Sequence, residues 1–448
     1  MATTAERYLR EHPRSAELHR RALDTFPDGV THDIRRMAPF PLYVERASGG
    51  RKWDVDGHEV VDFVMGHGAL LFGHVHPDIT AEVLRQAIHG THYGAGHLKE
   101  IEWGELVRQL VPCAERVRFV SSGTEAAQMA VRLARASTGR RKLVQFAGHF
   151  HGWSDTVFGR PEAAPGLTPA AFEDRIILPQ DDVDALASVF REEGRDIAAL
   201  ILEPSGASWG TVPSDPAWVG ACRELTAEAG ALLIFDEVVT GFRLARGGAQ
   251  EAYGVRPDLT TLAKVLAGGL PGGAVAGRTD VLACLETARE EHGLARVPHP
   301  GTFNANPLSA AAGVTALTLV RDTDAVTRAA RTAQRLCDGW NRVFEETGTA
   351  GCCYGEASLL HLAVGCGPLV RPLPGTIRFP PQNGAQAYPP RASAVLEMAL
   401  RRAMLNEGVD LMHTGAIVSA VHTERDVGDA VQALGRALTA LRAEGTLS

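Results

Sequence analysis

Between residues 78 and 322 the sequence alternates segments of helical spacing with short, mostly apolar runs, and that alternation leaves few folds open. Residues 79–88, 101–110, 125–136, 183–192 and 217–229 repeat apolar side chains three or four positions apart, the pattern of helices with one buried face. Residues 116–120 and 143–146 read as strands, and residues 197–202 and 231–235 are apolar runs too short for a helix. Strands this apolar need cover on both faces, which predicts an α/β domain around a mainly parallel sheet. Right-handed crossovers then bring the C-terminal ends of the strands to one edge, where ligands bind.

The flanking regions read differently. Residues 17–23 read as a short helix and residues 26–29 as a turn. Residues 42–45, 52–55 and 60–64 read as strands of a small meander, with a tight turn at residues 54–57. Beyond residue 323 the pattern predicts a long helix over 325–346, a strand over 359–364 and helices over 394–407 and 426–442. The proline-rich stretch 368–390 predicts an irregular loop, because proline blocks both helix and central strand. The natural divisions are therefore residues 1–77, 78–322 and 323–448.

Bulk properties exclude several functions. A formal net charge of −8 argues against a general nucleic-acid or anionic-membrane binder. No apolar run reaches the roughly 18 residues needed to span a bilayer. Residues 1–21 are mixed and charged, so no secretory leader is expected. The seven cysteines are scattered and include no C-x-x-C pair, which predicts reduced thiols and a cytoplasmic location.

Four segments carry chemistry. Lys264 is one of only four lysines, and it stands between an apolar segment and a glycine-rich stretch. Burial would lower the pKa of such an amine toward its nucleophilic form, ready to form an imine with an aldehyde cofactor; the alternative is a surface lysine before a loop. Asp236 directly follows a four-residue apolar run, so it lies at the edge where a carboxylate can pair with a protonated pyridine nitrogen. A helix cap would explain it too, whereas a Walker-type magnesium ligand would need a P-loop, and the sequence has none. SSGTEA at residues 121–126 opens a helix after a strand, which makes either an anion site or a plain N-cap. Phe150, between His149 and His151, offers a ring to stack on a planar cofactor. No metal is expected at these histidines, nor at His67, His74 and His76, for want of further ligands at fixed geometry.

These segments, together with LEP at 202–204, FDEVVTGFR at 235–243, TLAKVLAGGLPGG at 261–273 and PGTFNANP at 300–307, resemble the class III (ω-type) aminotransferases of the fold-type I pyridoxal-phosphate (PLP) enzymes. The likeness runs from about residue 26 to 443, and the 28-residue gap from Asp236 to Lys264 matches the family's. Within the family the chain resembles the glutamate-1-semialdehyde aminomutase group. It looks still more like the D-phenylglycine aminotransferases, through FPDGVTHDIRR at 26–36, DVDGHEVVDF at 54–63 and GHGALLFGHVHP at 66–77.

The resemblance implies a large domain with a mainly parallel seven-stranded sheet over residues 78–322, and a smaller α+β domain built from residues 1–77 and 323–448. It implies PLP as cofactor, held by Lys264 as a Schiff base, with Lys264 also moving the substrate proton. Asp236 would face the pyridine nitrogen, Val238 and Phe150 the two ring faces, Glu203 the ring hydroxyl side, and Ser122, Gly123 and Thr124 the phosphate. Thr302 would reach the phosphate of a neighbouring subunit, so a homodimer is implied. Arg35 would bind a substrate carboxylate, for which a bidentate guanidinium is suited, and His67 would line the substrate site.

The implied activity is ping-pong amino transfer from an amino acid, D-, β- or aryl-substituted ones included, to a keto acid or other carbonyl acceptor. A 2,1-aminomutase, a racemase or epimerase and a decarboxylase use the same apparatus, and a non-PLP nucleotide-binding α/β protein is the remote alternative. The chain departs from the aminomutase pattern in several places. Thr414 stands where that pattern carries a Glu near its His-Thr motif, here His422 and Thr423. His67 replaces a Trp, Phe150 a frequent Tyr, and residues 290–299 form a longer stretch.

Overall fold

The computed structural model describes residues 2–160, 164–365, 372, 377–378 and 393–447. They form two compact units: the described residues of 77–326, and those of 2–76 with those described from 327 onward.

The larger unit is built on a seven-stranded sheet. In spatial order its strands are Arg116–Val120, Gly273–Gly277, Leu259–Ala263, Leu232–Asp236, Ile197–Leu202, Lys142–Phe146 and Arg175–Leu178. Gly273–Gly277 is antiparallel to both of its neighbours, and the other pairings are parallel, so six strands point one way. Side-chain alternation sorts the central strands onto two cores. Ala199, Ile201, Leu232 and Ile234 pack with the helix Gly123–Thr138 on one face. Leu200, Leu202, Leu233 and Phe235 pack with Trp218, Val219 and Cys222 of the helix Pro216–Ala229 on the other.

The Gly123–Thr138 helix shows how local sequence sets the packing. Ser122 caps its start by accepting from Glu125 N at 3.2 Å, and Gly139 at φ +69° ends it in the left-handed conformation. Ala126, Ala127, Ala130 and Ala134 are all buried, and their small size lets the helix lie close to the sheet. A leucine at any of them would overpack the interface by about 1–3 kcal/mol.

The smaller unit contains a four-stranded sheet, ordered Val44–Ser48, Arg51–Asp54, Glu59–Asp62 and Val409–Asp410, and a three-stranded sheet of Gly351–Glu356, Leu359–Val364 and Gly415–Ile417. Helices Ala325–Glu346, Ala394–Asn406 and Glu424–Ala443 supply its core through Trp340, Phe344, Leu400, Met404, Leu434 and Leu438.

Several elements differ from the sequence reading. A helix at Thr4–Glu11 was not expected, because it buries little beyond Thr4 and Tyr8 and so lacks an apolar stripe. Strands Gly273–Gly277 and Gly351–Glu356 are glycine-rich and carry few of the β-branched side chains that mark a strand. The first meander strand begins two residues late, at Val44. Most of the expected loop over 368–390 lies outside the described residues.

Candidate active site

Five strands of the larger unit deliver the expected residues to one edge of its sheet. Arg116–Val120 leads to Ser122, Gly123 and Thr124; Lys142–Phe146 leads to Phe150; Ile197–Leu202 to Glu203; Leu232–Asp236 ends on Asp236; and Leu259–Ala263 to Lys264. All are C-terminal ends of strands running in the same direction, as a doubly wound sheet requires of its ligand site. Asp236 has the parity of Leu232 and Ile234, which face the Gly123–Thr138 helix.

Asp236 is buried, 5% exposed. Its Oδ2 lies 2.8 Å from His151 Nδ1, and its Oδ1 accepts from Thr261 Oγ1 and from Val238 N, both at 3.1 Å. Thr261 is its register partner on the neighbouring strand. The carboxylate is therefore fixed from three directions. His151 Nε2 is buried and has no hydrogen-bond partner among the described residues, so one polar neighbour is unaccounted for in this site.

Lys264 opens the short helical turn Lys264–Ala267 at φ +53°, a left-handed conformation uncommon outside glycine. Some of its surface remains accessible, yet enough protein surrounds the amine for desolvation to pull its pKa down to about 8, against the opposing pull of Asp236 and Glu203. Arg243 adds a smaller push in the same direction. The guanidinium of Arg243 is itself fully buried, and desolvation brings it down to about 10.

Glu203 accepts from the backbone N–H groups of Phe150 at 2.7 Å, Ser208 at 3.0 Å and Trp209 at 2.7 Å. Burial nevertheless outweighs those bonds and pushes its carboxyl up to about 7. The adjacent loop is held by His149, whose Nε2 lies 2.9 Å from Gln180 Oε1 and whose Nδ1 accepts from Glu203 N at 2.9 Å. Phe150 leaves 56% of its surface exposed, a free ring.

At the start of the Gly123–Thr138 helix two close approaches demand glycine. A Cβ on Gly123 would lie 2.9 Å from Val238 Cγ2, and one on Gly152 would lie 2.5 Å from Thr124 Oγ1. These contacts draw Val238, the Phe150 loop and the helix N-terminus together. The N-terminal end and dipole of a 16-residue helix, the buried carboxyl group of Asp236, the partly desolvated amine and the exposed aromatic face suit a planar, phosphate-bearing aldehyde such as PLP.

The other expected residues stand elsewhere. Thr302 is exposed in the loop before the helix Pro307–Asp322. Arg35 and His67 belong to the smaller unit, where both line a cavity of about 370 Å³ that also includes Arg401 and His413. Arg35 donates to Thr31 Oγ1 at 3.2 Å. The sequence reading missed His151, Thr261 and Arg243 as site neighbours. Two signals were at hand: His151 follows a strand end by five residues, and Arg243 closes the FDEVVTGFR motif that contains Asp236.

Comparison with known proteins agrees with this architecture. The family model described as Aminotransferase class-III matches residues 34–349. A glutamate-1-semialdehyde 2,1-aminomutase of Rhodopirellula baltica is 39% identical over 363 residues, covering 78% of this chain and 81% of that protein. An omega-transaminase from Sphaerobacter thermophilus superposes with a TM-score of 0.84 at 32% identity, covering 97% of this chain and 99% of that one. A beta-phenylalanine aminotransferase from Variovorax paradoxus gives 0.86 at 29% identity, covering 99% and 97%. Among the described residues no helix is long and apolar enough to cross a membrane. The chain belongs to the class-III aminotransferases, PLP-dependent enzymes of the fold-type I architecture.

Proposed function

We propose that this enzyme is an aminotransferase that takes an amino group from an amino acid, leaves a keto acid, and passes the group to a carbonyl acceptor in a second half-reaction. The observation that carries this reading is the meeting of Lys264, Asp236 and Glu203 at one sheet edge beside the N-terminus of the Gly123–Thr138 helix. Bound there, PLP supplies an aldehyde carbon for the amino group and a ring that withdraws electrons from the substrate.

The residues then have distinct tasks. Lys264 anchors the cofactor and, once displaced, takes the Cα proton and returns it, work for which an amine brought down to about 8 is suited near neutral pH. Asp236, kept in place by His151 and Thr261, presents a carboxylate to the ring nitrogen. Glu203 supports the ring hydroxyl side, and Val238 and Phe150 flank the ring. Ser122, Gly123 and Thr124 hold the phosphate by hydroxyl and backbone N–H groups. Thr302, exposed on its loop, serves the phosphate of a second subunit in a homodimer. Arg35 binds the substrate carboxylate and His67 lines the substrate side.

A 2,1-aminomutase is the second reading, favoured by the name of the 39%-identical relative from Rhodopirellula baltica. Thr414 argues against it, since a threonine replaces the Glu of the aminomutase pattern and brings no charge to hold a second amino group. The test is a single-turnover assay of PLP-loaded enzyme with D-, L- and β-amino acids and no acceptor, aryl-substituted donors first. A transaminase releases about one equivalent of keto acid per chain and then stops until a carbonyl acceptor is added. Turnover of glutamate 1-semialdehyde with no keto acid from any donor would establish the mutase instead.

A further inference from the structure

We propose that His12, Asp54 and His58, in the smaller unit, form a zinc site remote in sequence from the PLP residues. His12 sits at the junction of the helices Thr4–Glu11 and Pro13–Leu23, and Asp54 ends the strand Arg51–Asp54. His58 follows the turn after that strand. One ligand atom from each of the three lies within 4.8 Å of the others.

The hydrogen bonds around the cluster assign its lone pairs. His12 is 3% exposed, and its Nδ1 lies 3.0 Å from the carbonyl oxygen of Tyr8. A carbonyl only accepts, so Nδ1 carries the proton and Nε2 of the neutral ring is a lone pair. That lone pair stands 3.4 Å from Asp54 Oδ2. Asp54 is wholly buried, and its Oδ1 accepts from Asp56 N at 3.0 Å and His58 N at 2.7 Å. Oδ2 is the oxygen turned toward both imidazoles. The lone pair of His12 Nε2 thus faces, across 3.4 Å, a carboxylate oxygen that also has His58 Nδ1 at 2.9 Å, a set of three donor atoms into which a cation fits.

The spacing is that of zinc ligands. Bonds of about 2.0–2.1 Å to nitrogen and oxygen, at the tetrahedral angle, hold two donor atoms roughly 3.4 Å apart. His12 also shows the outer-shell contact usual for a metal-bound histidine, its second ring nitrogen donating to a backbone carbonyl. His58 Nδ1 lies 2.9 Å from Asp54 Oδ2, somewhat closer than two zinc ligands sit. Its side chain is 43% exposed, so the ring can move outward by the small distance needed. A water would complete the fourth position. Two imidazoles and one carboxylate suit Zn²⁺ better than Mg²⁺ or Ca²⁺, which prefer oxygen alone. Bound zinc would tie the two N-terminal helices to the Arg51–Asp54 strand and thus stabilise this part of the unit.

The test uses full-length, PLP-loaded protein stripped of metal by a chelator and dialysed. Zn²⁺ is titrated in competition with a chromophoric chelator, and Co²⁺ is added separately to look for visible d–d bands beyond the cofactor's own absorbance. Wild type should bind one Zn²⁺ per chain, melt at a higher temperature with it, and give tetrahedral Co²⁺ bands. His58→Ala, at an exposed position, should melt like metal-free wild type, bind Zn²⁺ at least tenfold more weakly and lose the bands. Asp54→Asn should weaken binding as well. No stoichiometric zinc on wild type, or equal binding by wild type and His58→Ala, would overturn the proposal.

Discussion

His151 Nδ1 and Asp236 Oδ2 stand 2.8 Å apart although 85 residues separate them, and both side chains are buried. His151→Ala removes a donor from a buried carboxylate, at about 1.5–3 kcal/mol for a hydrogen bond to a charged group. PLP affinity should fall roughly ten- to hundredfold, since each 1.4 kcal/mol is a factor of ten. His151→Asn, which can still donate, should recover part of the loss. Fluorescence titration of cofactor-free protein with PLP reads both, and unchanged affinity in His151→Ala would remove this histidine from the site.

Lys264→Ala should lower amino transfer by at least the 10²–10⁴-fold that a positioned proton carrier contributes, about that much being lost with the base alone. The cofactor-free protein offers a second readout. Its folded amine titrates near 8 and the unfolded one near 10.5. Below pH 8 both states are charged and the burial penalty is complete; between 8 and 10.5 the folded state sheds its proton first, and stability rises. Lys264→Met should therefore stabilise cofactor-free protein at pH 7 by about 1–3 kcal/mol, a gain that fades toward pH 10.5. Urea midpoints at pH 7, 9 and 10.5 would show it, and a gain independent of pH would contradict desolvation as the cause.

Gly152→Ala places a methyl group 2.5 Å from Thr124 Oγ1 and 2.7 Å from its Cα, at a glycine of φ +91°. The expected loss is about 1–3 kcal/mol from overpacking, added to the backbone strain. Gly166→Ala has nearly the same conformation, φ +88°, with nothing within 4 Å, and so isolates the strain. PLP affinity should drop in the first variant and hold in the second; equal affinities would mean that the Phe150 loop does not depend on this contact.

Glu237 is buried beside Asp236 in sequence but bonds away from it, accepting from Thr240 Oγ1 at 3.0 Å and Ala249 N at 2.5 Å. Burial pushes its carboxyl up to about 7 from an ordinary 4.5. Its protonated form is favoured in the folded state, so its contribution is complete below pH 4.5 and lost as pH rises through 7. Glu237→Gln, a neutral stand-in, should match wild type near pH 4.5 and exceed it by about 1–3 kcal/mol at pH 8. Thermal melts across that range measure the difference, and curves that stay parallel would refute it.

Much of this protein was legible without coordinates because the relevant information is local. Helical spacing and short apolar runs announced the parallel sheet, and residues at strand ends announced its ligand edge. Lys264 and Asp236 could be singled out because each directly follows an apolar segment. What the sequence could not give is whatever depends on contact between distant segments. Glycine-rich strands such as Gly273–Gly277 carry no propensity signal and form because neighbouring strands leave edges to be paired. His151, read only as an unsupported metal ligand, fell beside Asp236, and His12, which nothing in the sequence singled out, met Asp54 from 42 residues away. Desolvation also has no sequence signature, since Glu203, Glu237 and Lys264 owe their shifted acidities to how much protein surrounds them. Periodicity and composition determined the elements and the edge where chemistry sits; packing alone decided which polar groups meet there and what charge they hold.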